Sequence, residues 1–157
     1  MDHSQFIRGV ATVAIGCLLA TGGCGYLRQM TSPNLRALAP YGAATIPDRD
    51  DAIYFNTWPL TDENLAESFR YIAEYAPRLP SFEGREITDL SVSLLLQLDS
   101  VEELRIERTG ISAAGIARLT KMHGLKDIYI SSNQITREQL AGLEAVQTRV
   151  RFHMEMP

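Results

Sequence analysis

The chain has 157 residues, 45% of them hydrophobic and 22% charged, with a formal net charge of -4. That length suits one domain, and the apolar content supports a packed core, which excludes global disorder. The acidic balance excludes a general nucleic-acid binder, because phosphate contacts need clustered Lys and Arg, and the nearest cluster is only Arg149 with Arg151.

The first element is an uncharged run from Gly9 to Leu27, bracketed by Arg8 and Arg28. Gly16, Gly22, Gly23 and Gly25 thin out its far end, and the strongly apolar part is Val10 to Ala20. A short apolar stretch after a weakly positive start, ending in small residues, reads as an export signal over residues 1–24. An uncleaved anchor helix is the alternative, since such a run just reaches across a bilayer core of ~30 Å. Both cysteines, Cys17 and Cys24, lie here, so no disulfide is available to the rest of the chain. The stretch LLATGGC, Leu18 to Cys24, resembles the lipobox of bacterial lipoproteins. That resemblance implies lipidation of Cys24 and an exported, membrane-anchored protein of the periplasm or cell envelope. Thr21 stands where the motif usually has Leu, and an ordinary cleaved signal is a further alternative.

Residues 25–49 follow, with Pro33, Pro40 and Pro47 among small and polar residues. Proline interrupts both helix and sheet pairing, so this segment reads as a proline-containing tether, with room for one helical turn around Asn34 to Ala39.

From residue 50 to 157 the pattern repeats. LKDIYISSNQI, Leu125 to Ile135, overlays VEELRIERTGI, Val101 to Ile111, at a shift of 24. One further step back places Phe82, Ile87, Thr88, Val92, Leu95 and Leu98 at the same positions, with Pro80 interrupting the strand. A longer first copy starts at Asp51, with Ile53, Phe55, Leu60, Thr61 and Leu65. Within a copy, Ile128 and Ile130 alternate with Tyr129 and Ser131, the period of a strand buried on one face. Leu140, Leu143 and Val146 follow at spacings of three, the stripe of a short helix. Thr61, Thr88, Ser112 and Thr136 stand where a helix cap belongs, and Thr136 with Gln139 fits a capping box. Each copy therefore predicts strand, turn and helix, and stacking closes a core that no copy closes alone.

Leu125-x-x-Ile128-x-Ile130-x-x-Asn133-x-Ile135 resembles the leucine-rich repeat signature. Thr109, Arg85 and Trp58 replace the asparagine in the other copies. The resemblance implies an α/β leucine-rich-repeat solenoid of about four short bacterial-type repeats. Parallel strands would line its concave side and short helices its convex side. The last run, Arg149 to Met154, is expected to close the stack, with Val150, Phe152 and Met154 inward and Arg149, Arg151 and His153 as edge charges. Aromatic residues Trp58, Phe69, Tyr71 and Tyr75 are expected to cap the other end.

No catalytic constellation stands out. His3, His123 and His153 are not spaced as metal ligands, no phosphate loop occurs, and Glu102-Glu103 and Asp50-Asp51 read as solvated loop carboxylates. The expectation is a non-enzyme without cofactor or metal. The working surface is the strand face that meets water. At the 24-residue step Tyr54, Ser81, Arg105, Tyr129 and His153 form one column, and Asn56, Glu83, Glu107 and Ser131 its neighbour. Tyr and Arg are enriched at protein hot spots, so Tyr54, Asn56, Glu83, Arg105, Glu107, Tyr129 and Ser131 are the candidate protein-binding residues. The rival expectations are a structural envelope protein with no ligand on this face, or a non-catalytic subunit of an envelope enzyme.

Overall fold

The structure, a computed structural model, describes residues 32–46, 49–55, 60–131 and 135–154. Residues 1–31, on which the expected export signal and Cys24 fall, and the positions Asn56, Trp58 and Asn133, lie outside the described residues.

The architecture is α/β. Among the described residues six strands form one sheet in chain order: β1 (Ala43–Ile46), β2 (Arg49–Phe55), β3 (Leu79–Glu83), β4 (Glu103–Glu107), β5 (Asp127–Ser131) and β6 (Arg151–Met154). β1 runs antiparallel to β2, and every later pair is parallel. Parallel neighbours need a crossover, and a helix supplies each one. These are α2 (Asp62–Tyr75), α3 (Val92–Leu95), α4 (Ala113–Leu119) and α5 (Arg137–Val146); α1 (Pro33–Leu38) precedes the sheet. The register advances by 24 residues per strand, Ser81 to Arg105 to Tyr129 to His153, and by 27 from Tyr54 to Ser81.

The repeated apolar positions meet in one core. Ile53, Phe55, Phe82, Leu104, Ile106, Ile128 and Ile130 are buried from the strands, with Leu65, Ile72, Val92, Leu95, Ile116, Leu119 and Leu140 from the helices. Each such side chain contributes about 1.5–3 kcal/mol. Phe55 stacks on Phe82 with centroids 5.4 Å apart, continuing the ladder across the longer first step. Pro80 is tolerated in β3 opposite Ile53, and the ladder to β4 begins beyond it at Ser81. Phe69, Tyr71 and Tyr75 pack partly buried against the core.

Residues 33–46, which the proline content assigns to a tether, belong to the folded body. Pro33 is not a breaker here. It occupies the first turn of α1, where its missing N–H costs nothing, behind the Ser32 cap. Leu35 and Leu38 then bury one face of α1 in the core, and α1 packs on α2. Pro40 sits in a 3-10 turn, Ala39–Tyr41, and Gly42 at φ 75° turns the chain into β1. This is a left-handed conformation that glycine adopts without a side-chain clash.

Helix capping carries a feature that the repeat pattern does not announce. Thr61, Ser112 and Thr136 accept from Asn64, Gly115 and Gln139 backbone N–H groups at 3.1, 3.2 and 3.2 Å. Thr88 is not the helix cap expected of it, since α3 begins at Val92 behind Ser91; it donates its hydroxyl to Asp62 at 2.6 Å, and its N–H reaches the same carboxylate at 2.9 Å. Ser91 also donates to Asp62. One copy later, Asp89 accepts from the Ser112 N–H at 2.9 Å and hydroxyl at 2.6 Å. Each carboxylate thus ties its own copy to the Thr or Ser at the matching position of the next. At the following step Ala113 stands where Asp would be, and the Thr136 N–H is served by Gln139 at 2.9 Å, completing its capping box.

Three further expectations change. Val146 is 83% exposed, and among the described residues no helix follows α5 to bury it. Asp50 and Asp51 lie within β2 and Glu103 within β4, not in loops. Arg149 is not an edge charge: its guanidinium donates to the carbonyls of Thr120, Met122 and His123, groups left over where α4 ends.

Candidate functional site

The sheet face turned away from the core carries the candidate residues. Strand alternation puts Tyr54, Ser81, Arg105, Tyr129 and His153 in one row of directly opposed neighbours. Glu83, Glu107 and Ser131 form the next row, and Glu103, Asp127 and Arg151 a third. Ala52, Leu79 and Ser81 are buried on this face, so its accessible part is centred on β4 to β6.

There the middle row is a ridge of stacked planar groups. The Arg105 guanidinium lies 4.8 Å from the Tyr129 ring centroid, a cation–π contact. The other face of the row continues with His153, stacked on Tyr129 at 4.5 Å and 15°. Parallel strands ~4.8 Å apart bring such groups into contact automatically when the sequence repeats in register.

The same register opposes like charges, Glu83 with Glu107 and Glu103 with Asp127. Arginines offset this. Arg108 pairs with Glu83, Arg105 lies 3.8 Å from Glu107, and Arg151 grips Asp127 with two bonds of 2.7 Å. One partner of Arg105 is thus the glutamate two residues along its own strand. His153 adds a third contact to Asp127 at 2.8 Å. Asp127 is only 7% exposed, and the Arg151 bond, with His153 assisting against the cost of burial, lowers its pKa to about 2. At the entry to the strands Glu102 sits between Arg78 and Lys126, at 2.7 Å from each, which also lowers its pKa to about 2. Burial raises the Tyr54 phenol above its ordinary value, against the pull of Arg105 and Arg49.

The structure thus joins Arg105, Glu107, Tyr129 and Glu83 in one patch, with Ser131 at its margin, where its carbonyl accepts the Arg108 N–H. Tyr54 lies two strands away and is half-buried. Asn56 and Cys24 lie outside the described residues. Asp127 and Arg151 join the patch without having been candidates on sequence grounds. Their signal is present in the sequence: the 24-residue step that aligns Arg105 with Tyr129 also aligns Glu103, Asp127 and Arg151. Among the described residues no group of three or more His, Cys, Asp or Glu side chains is placed to hold a metal ion. Compared with protein-family models, with curated proteins and with solved structures, the chain matches none.

Proposed function

We propose that this chain is an exported, membrane-anchored leucine-rich-repeat solenoid that binds a protein partner through the outer face of its sheet and performs no chemistry itself. The repeat reading rests on the constant 24-residue register from β3 to β6 and on the Leu125 to Ile135 signature. The anchor rests on the apolar segment and on LLATGGC, with Cys24 as the lipidated residue. The observation that carries the binding role is the Arg105–Tyr129–His153 ridge. Two aromatic rings and a guanidinium, already held in place by stacking, lose little side-chain entropy on contact with a partner, which is the property of a hot spot.

Photo-crosslinking in the native cells tests this, with a photoreactive residue at position 129 and a control at position 137 on the helical side. A discrete protein adduct at 129, absent at 137 and lost when Arg105 is replaced by Ala, is the expected result. No adduct at 129, with the protein folded and in the membrane fraction, rejects the binding role in favour of a structural one.

A further inference from the structure

The outer face of the sheet is layered by charge. Within its ion pairs the carboxylate lies deeper than its cation. Side-chain exposure is 9% for Asp127 against 73% for Arg151, and 26% for Glu83 against 65% for Arg108. Arg105 and Glu107 are nearly level. Glu103, the remaining carboxylate of these rows, is half-buried opposite Asp127. Side-chain length explains the order. Asp and Glu hold their charge close to the strand, and an arginine that bends back onto such a carboxylate keeps part of its longer head in water. A chain of net charge -4 therefore presents guanidinium groups first to whatever approaches this face.

These groups are also held in place. Arg151 directs two of its five N–H donors to Asp127, at 2.7 Å each, which leaves the others for an incoming acceptor. Arg108 reaches Glu83 through one terminal nitrogen. Its backbone stands at φ 51°, a conformation that costs a non-glycine residue energy, and its N–H bonds to the Ser131 carbonyl. Arg108 follows Arg105 by three residues, and Arg151 precedes His153 by two, so they flank the Arg105–Tyr129–His153 ridge at opposite ends and on opposite sides.

We propose that the partner of this face is an acidic peptide segment, laid across β4 to β6 with carboxylates on Arg108 and Arg151 and a central side chain on the edge of Tyr129 and His153. This specifies the partner in the binding role of the face and rests on that role. Planar guanidinium forks match carboxylates two bonds at a time, and a head already fixed by a carboxylate beneath it loses little freedom on contact. A nucleic acid fits less well, because phosphate binding draws on summed positive charge, which Glu83, Glu107 and Asp127 cancel here. A basic segment must pass the arginines to reach the deeper carboxylates.

Fluorescence anisotropy on the full chain in non-ionic detergent tests this. The probes are a labelled short peptide with a Tyr centre flanked by Glu, its Lys counterpart, and a thymidine oligonucleotide of equal length. The Glu peptide should bind with a Kd below about 200 µM, and the other two at least tenfold more weakly. Arg108→Gly should weaken the Glu peptide at least threefold and keep the thermal transition, since glycine takes φ 51° without strain. Should that variant not fold, Arg108→Asn, which tolerates the same conformation, takes its place. Arg118→Gln, at an exposed position of α4, should change nothing. Equal or tighter binding of the Lys peptide or of the oligonucleotide overturns the proposal. So does a Glu peptide that fails to bind in this range, or that binds Arg108→Gly equally well. The binding role itself is read separately: an adduct at position 129 whose partner segment is basic or apolar keeps that role and removes the acidic partner.

Discussion

Asp127 joins the outer face to the last strand, and its replacement by asparagine separates electrostatics from shape. Asp127→Asn keeps the size of the side chain but loses the charge that receives two bonds from Arg151 and one from His153. The carboxyl pKa falls from 3.8 to about 2 on folding, chiefly through Arg151. A shift of that size corresponds to about 2.5 kcal/mol. Arg151 is 73% exposed on its side chain, so solvent screens the pair, and about 1–2 kcal/mol is the expected loss. The pH dependence follows from the direction of the shift. A depressed folded pKa stabilises above the unfolded value, and that stability disappears as pH falls from about 4 to about 2. Urea unfolding of both proteins at pH 7 and at closely spaced values between pH 5 and pH 2 reads both effects. The wild type should be the more stable by this amount at pH 7, and the two curves should converge near pH 2. Parallel curves across the acid range, or equal stability at pH 7, would refute the reasoning.

The helical side and the core supply the remaining tests. Asp62→Ala removes the acceptor of three bonds that tie α2 to the next copy, and charged acceptors contribute more than neutral ones; the expected loss is about 2–4 kcal/mol by denaturant titration. A loss under about 0.5 kcal/mol, the size of an ordinary surface change, would show that the aspartate ladder is decorative. Ile130→Asp buries an uncompensated carboxylate at a fully enclosed position between Ile106 and Met154, and should abolish the cooperative thermal transition seen by circular dichroism. A retained full transition would contradict the stacked core.

The legible parts of this molecule are the periodic ones. Alternation in Ile128 to Ser131 defines a strand, and the 24-residue repeat by itself places Arg105 beside Tyr129 and Tyr129 beside His153, as the sheet then does. A repeat converts one local pattern into a long-range register, because every copy must bury its apolar residues at the same height. Thr136 with Gln139 is equally legible, since a capping box is closed within four residues. Where the repeat stops, so does legibility. Pro33 to Ile46 reads as a tether from its prolines, yet Leu35 and Leu38 fold down because α2 offers them an apolar surface from residues far along the chain.

Sequence alone determined the strand-and-helix period, the inward and outward faces of each strand, the caps Thr61, Ser112 and Thr136, though not Thr88, and the rows of the outer face. Tertiary structure decided what the polar groups do. Asp62 and Asp89 accept from Thr88 and Ser112, the hydroxyl residues at the matching position one copy on. Arg149 turns to the carbonyls that end α4, and Arg151 and His153 are drawn onto Asp127. Burial in a repeat is set by spacing, which a single chain displays. The partner of a flexible charged side chain is set by whichever unsatisfied group the packed neighbours leave within reach, and that exists only once the rungs are stacked.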